Sequence, residues 1–130
     1  MNTMKRRNIF LILALFSLFF TGCKYDFVIP VEVPVIDTGG VPISFATQIV
    51  PIFSAGDKCT QCHKPGGLGS PDLSNPATVY SQIVPQYVNT ASPESSKLYV
   101  NASSGNHYAK TTATQAALIL AWIKEGAKNN

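Results

Sequence analysis

The sequence predicts an all-α domain of about four short helices entered through an extended tether, and three observations carry that expectation. Apolar residues recur at helical spacing in residues 45–53 and again in residues 118–123. Asn75-Pro76 and Ser92-Pro93 each set a good N-cap against a proline at the first helical position. No stretch of residues 43–130 alternates polar and apolar as a half-buried strand would.

The 130-residue chain opens with Lys5, Arg6 and Arg7, followed by the apolar run IFLILALFSLFF at residues 9–20. A spanning helix needs about 20 apolar residues. A basic flank, a short apolar core and small residues before a cysteine read instead as an export signal over residues 1–22. Its removal takes away all three basic residues named above and both methionines, Met1 and Met4. Seven lysines then face seven acids with no arginine, so the formal net charge of +3 belongs to the leader. A near-neutral domain without arginine has no electrostatic footprint for phosphate backbones, which sets nucleic acid aside as a partner.

Phe20-Thr21-Gly22-Cys23 resembles the lipobox of bacterial lipoproteins, with phenylalanine where leucine is usual. That resemblance implies lipidation of Cys23 and a domain held at a membrane surface, since two or three acyl chains anchor stably where one does not. The alternative is an ordinary thiol after an ordinary cleavage site. Residues 23–42 carry Pro30, Pro34, Pro42 and the pair Gly39-Gly40, a density of helix breakers that reads as a semi-rigid tether. An edge strand over residues 28–36 is the competing reading.

Residues 43–130 form the working domain. Ser44 is placed to cap a first helix with Phe45, Ile49, Ile52 and Phe53 on one face, kinked or delayed by Pro51. The two Asn/Ser-Pro signals start helices over residues 77–84 and 94–100. Thr112-Ala113-Thr114-Gln115 is a capping box for the last helix, Leu118, Ile119, Trp122 and Ile123 form its apolar stripe, and Gly126 stands at its stop. Residues 64–74 and 101–111, rich in Gly, Ser, Asn and Pro, are expected as loops. A domain this small buries little apolar surface unaided and often recruits a metal, disulfides or a cofactor.

Cys59-Thr60-Gln61-Cys62-His63 is the C-x-x-C-H haem-attachment motif. Two thiols three residues apart on one turn can reach two vinyl groups on one edge of a porphyrin, and the adjacent histidine then places its imidazole on the iron. Three other chemistries use some of these residues. A redox dithiol opens a helix within a βαβ pattern, which is missing here. A plain disulfide leaves His63 without a purpose. A zinc site from Cys59, Cys62, His63 and His107 has the right ligand count but strains a tetrahedron with two ligands adjacent in sequence.

From residue 43 to about 128 the chain resembles a small class I-like cytochrome c domain of the bacterial lipoprotein type. The resemblance rests on the C-x-x-C-H motif, the Gly66-Gly67-Leu68-Gly69 turn, Asp72-Leu73-Ser74, the segment Pro93-Glu94-Ser95-Ser96-Lys97-Leu98-Tyr99 and the terminal Trp122-Ile123-Lys124-Glu125-Gly126-Ala127. It implies one covalently bound haem c on Cys59 and Cys62, His63 as an axial ligand, and first and last helices that cross with Phe53 and Trp122 near the contact. Leu68, Leu73, Val79, Ile83, Leu98, Tyr99, Tyr108 and Trp122 are the candidate pocket residues.

The chain departs from the family in one place. Where members carry a "G-x-M-P" loop with the methionine ligand, this sequence has Gly105-Asn106-His107-Tyr108-Ala109-Lys110, and no methionine lies outside the leader. His/Met ligation is excluded on that ground. His107 is the leading replacement, with an open or water-bound site, Tyr108 and Lys110 as alternatives.

The function this implies is a lipid-anchored, monohaem electron carrier of the bacterial cell envelope, facing the periplasm or in the outer membrane, whose partners are other redox proteins. It needs no acid, base or nucleophile of its own. An open sixth site would instead allow peroxidase-like or gas-binding chemistry, and a zinc- or disulfide-stapled structural lipoprotein is the third reading. Nothing in the sequence speaks to oligomeric state.

Overall fold

In the computed structural model, the described residues are 34–130, except 105, 106, 108 and 109 and the side chain of Asp57. The leader, Cys23, the first part of the tether and Tyr108 lie outside them. The helices run as α1 (Val50–Ser54), α2 (Val79–Ile83), α3 (Lys97–Ser103) and α4 (Ala113–Lys124), with no strand among the described residues. This is the all-α architecture that the sequence implies.

A π-helical turn, Phe45–Ile49, leads into α1 and a 3-10 turn, Ala55–Asp57, follows it. Ser44 caps this entry by accepting a hydrogen bond from Thr47 N–H. Pro51 cannot donate to the ladder and its ring crowds the preceding turn. The wider π register comes just ahead of it, with Val50 N–H donating to Phe45 C=O, and Pro51 takes a first-turn position of α1. The expected kink is thus a change of helix type. Gly56, at φ +64°, then turns the chain out of the helix, a conformation open to glycine at no steric cost.

The helix expected over residues 94–100 is split. Pro93–Ser95 forms a 3-10 turn, Ser96 adopts an extended ψ of 126°, and α3 starts after it. The break comes from Ser96 itself, which is 1% exposed. Its Oγ accepts from Asn89 N–H and donates to Asn89 C=O, bonds that fasten α3 to the preceding loop. Consequently α3 runs on through Ser103, into residues expected as loop. The second helix also starts late. Asn75 takes the N–H groups of Ala77, Thr78 and Val79 in an Asx-type turn before α2 begins.

The last helix has the ends its sequence dictates. Thr112 Oγ1 accepts from Gln115 N–H while Gln115 Oε1 accepts from Thr112 N–H, closing the capping box. At the other end Gly126, at φ +96°, lets Ala127 N–H reach Trp122 C=O and Gly126 N–H reach Ile123 C=O, which satisfies carbonyls the helix leaves open.

The core joins the first and last helices. Trp122 is fully buried, its ring 5.1 Å from Phe45 and 6.5 Å from Tyr80, with Phe45 and Tyr80 5.2 Å apart edge to face. The crossing contact on Trp122 is therefore Phe45, not the Phe53 expected from the resemblance. The helical period puts both phenylalanines on one face, but they are eight residues apart, so Phe53 sits two turns further along. The polar tips of the aromatic cluster are satisfied by the C-terminal segment: Trp122 Nε1 donates to Lys128 C=O and Tyr80 OH to Ala127 C=O, both at 2.9 Å. Asn130 completes the clamp by accepting from Phe45 and Ala46 N–H. Residues 34–42 carry no regular structure beyond a glycine turn at residues 39–40, yet Ile36 packs against the core.

Candidate functional site

Cys59 to His63 forms a single turn. Both Cys62 N–H and His63 N–H donate to Cys59 C=O, at 3.2 and 3.0 Å, so the two thiols and the imidazole project from one short stretch of backbone. Cys62 is exposed and Cys59 half-buried. Burial pushes the Cys59 thiol up, partly offset by the Lys58 and Lys110 ammonium groups, which pull it down. Cys59 is thus held mainly as the neutral thiol.

The chain then folds back over this turn. Gly69 N–H donates to Cys62 C=O at 3.0 Å, Leu73 N–H donates to His63 C=O at 2.9 Å, and His63 Nδ1 lies 2.8 Å from Pro71 C=O. A carbonyl only accepts, so Nδ1 carries the proton and the lone pair of His63 is on Nε2. Fixing one ring nitrogen on a backbone carbonyl is how proteins orient an imidazole for a metal. Two glycines make the fold-back possible by their lack of a side chain. A Cβ on Gly67 would stand 2.2 Å from Cys62 C=O, and one on Gly69 would stand 2.9 Å from the His63 ring.

Cys59 and His63 border a cleft enclosing about 640 Å³, solvent at its mouth included. Its apolar wall comes from Phe53, Leu73, Ile83, Leu98 and Ile119. His107 reaches it from the arm between α3 and α4, its ring centroid 5.8 Å from that of His63 with planes tilted by 57°. Such a tilt is not face-to-face stacking. The exposed Lys58 and Lys110 and the polar Asn101 and Thr111 also border the cleft.

Of the residues named from the sequence, the fold gathers Cys59, His63, Leu73, Ile83, Leu98 and His107 around this space. Five others stand elsewhere, beginning with Cys62, which is exposed on its turn and does not border the cleft. Leu68 is 99% exposed, carried outward on the glycine turn. Val79 and Trp122 are fully buried and Tyr99 packs on the core edge, none of them lining the cleft. Tyr108 is outside the described residues. Sequence reasoning missed Phe53, Pro71, Tyr87, Ala102 and Ile119 as wall residues. Phe53 and Ile119 were visible as stripe residues, but helical period alone does not say which end of a stripe faces a cavity.

The donor set suits a porphyrin bound through two thioethers: paired thiols on one turn, an imidazole with Nε2 free, and an apolar slot beside them. Among the described residues no three His, Cys, Asp or Glu side chains converge as a tetrahedral zinc site requires. The family model described as Cytochrome c matches residues 51–127. Comparison with the curated proteins and with the solved structures finds no match.

Proposed function

This chain belongs to the cytochrome c family, and from that premise we propose that it is a monohaem electron carrier, anchored by lipid at Cys23 to a membrane of the bacterial cell envelope. Haem c, covalently attached, is the cofactor of the family, and electron transfer is its general role. When bound, the haem supplies a ferric/ferrous couple.

The chain's own residues supply the rest. Cys59 and Cys62 would hold the haem through thioethers, and His63, held by Pro71 C=O, would offer Nε2 to its iron. Phe53, Leu73, Ile83, Leu98 and Ile119 wall the cleft and would keep water from a haem held there, so that the change in solvation on electron transfer would be small. The observation that carries the reading is the single-turn placement of both thiols and His63, with Cys59 and His63 bordering an apolar cleft.

The export and anchoring parts rest on the basic-apolar leader and the Phe20–Cys23 lipobox resemblance. Other redox proteins of the envelope are the partners. The test is expression of the full chain in a bacterium that matures c-type cytochromes. One iron per chain, haem that stays with the polypeptide after denaturation, and reversible one-electron titration are expected. Loss of covalent haem in the Cys59→Ala, Cys62→Ala double variant and release of Cys23→Ala from the membrane fraction complete the expectation. More than one iron per chain, or wild-type protein in the soluble fraction, overturns the corresponding part.

A further inference from the structure

We propose that His107 is the second axial ligand of the iron, so that the haem sits between two imidazoles. The inference rests on the c-type haem reading above and deepens it.

Geometry is the main argument. Two metal–imidazole bonds of about 2 Å each, with the half-widths of two rings, span about 6 Å. The centroids of His63 and His107 are 5.8 Å apart, close to the spacing of two imidazoles that share one metal ion. His63 has Nδ1 engaged by Pro71 C=O, leaving Nε2 as its ligating atom, and His107 borders the same cleft.

The arm that carries His107 is tied at its far end. Lys110 N–H donates to His107 C=O at 2.8 Å, and Thr111 Oγ1 donates to Ala102 C=O in α3. His107 is thereby held a short distance ahead of the Thr112 cap of α4. Among the other described groups beside the cleft, Lys58 and Lys110 are the competing nitrogen bases, and no methionine lies outside residues 1–4. His107 is favoured over both lysines because its ring is the one that faces the His63 ring, at a centroid distance of 5.8 Å.

The consequences are a closed sixth position and a potential below that of a His/Met cytochrome, because the thioether that raises the potential is replaced by a second imidazole. His107 is exposed on its arm, so its replacement leaves the core intact.

The test uses the matured holoprotein. Wild type is expected to be low-spin in both oxidation states, with a reduced spectrum unmoved by carbon monoxide. His107→Ala is expected to turn high-spin, to bind carbon monoxide fully, and to recover the low-spin spectrum on adding free imidazole. His107→Met is expected to raise the midpoint potential, and Lys110→Ala to leave the spectrum as in wild type. Carbon monoxide binding by wild type, or a low-spin spectrum that survives in His107→Ala and is lost in Lys110→Ala, overturns the proposal while leaving covalent haem in place. Wild type without covalent haem overturns the haem reading itself, and this proposal with it.

Discussion

On one side of the molecule Phe45, Tyr80 and Trp122 meet ring to ring, and the hydroxyl and indole N–H are satisfied by backbone carbonyls of the C-terminal segment. On the other, Cys59, His63 and His107 border a cleft, and of their side-chain polar atoms His63 Nδ1 is the one bonded to a backbone partner among the described residues. The first region is closed by protein atoms. The second is organised around something the chain does not itself provide. In so small a domain the two share walls: Phe53, Ile83 and Ile119 belong to the core and also line the cleft. The scaffold therefore sets where the site residues stand, while the site adds apolar surface that the scaffold lacks.

The sharpest way to break this division is Trp122→Ala. Removing a fully buried indole costs about 3–5 kcal/mol, a large fraction of the roughly 5–15 kcal/mol that stabilises a domain. The denaturation midpoint of the holoprotein is expected to fall accordingly, while the haem spectrum of the folded fraction keeps its axial ligation. A ligation change as large as the stability change would show that the two regions are one.

Gly67→Ala probes the opposite side. Its new Cβ meets the Cys62 carbonyl at 2.2 Å, a backbone atom that no rotamer change can move. An overpacking cost of about 1–3 kcal/mol is expected, with a lowered yield of covalent haem measured by pyridine haemochrome per chain. Gly69→Ala meets the His63 ring at 2.9 Å instead. It is expected to cost less stability and to shift the potential and visible bands, since a ring can tilt where a carbonyl cannot.

Thr112→Ala tests how far the scaffold depends on one helix end. Loss of the capping box is worth about 1 kcal/mol, and Thr112→Ser is expected to recover most of it in the same denaturation series.

The smallest effect is expected at the Glu94–Lys124 pair, 2.8 Å apart and largely exposed on both sides. The hydrogen bond from Lys124 holds the Glu94 carboxyl below the usual carboxylate range. A depressed acid stabilises the fold above its unfolded pKa, and that contribution disappears as the pH falls through the lowered value. Wild type is expected to lose slightly more stability than Glu94→Gln on acidification below about pH 4.3, and high salt is expected to abolish the difference. A difference that persists in salt would mark the pair as part of the scaffold and not as a solvated contact.

Features that depend on neighbours in sequence were legible. The capping box of Thr112 and Gln115, the Ser44 cap, the stop at Gly126 and the single turn of Cys59 to His63 are each made by residues a few positions apart, through bonds a short peptide can describe. The grouping of His63 with His107 was legible only as chemistry, from the absence of a methionine beyond the leader. That the two rings stand 5.8 Å apart follows from how α3 and α4 hold the arm between them.

Assignment of apolar residues to wall or core was less legible. Leu68 and Leu73 are both leucines beside the glycine turn, yet one is 99% exposed and the other lines the cleft, because the hydrogen bond from Leu73 N–H to His63 C=O draws it inward. Val79 and Ile83 share α2, but Ile83 alone reaches the cleft. Nor does any local signal announce Ser96, whose hydroxyl finds Asn89 and splits a helix that its neighbours favour.

Local chemistry along the chain was thus sufficient for the all-α class, the helix ends and the haem-attachment turn, since capping, proline and thiol spacing act over a few residues. Which face of each helix meets the cleft, and that Phe45 and not Phe53 meets Trp122, came from packing. Those contacts join residues dozens of positions apart, and they depend on how whole helices cross.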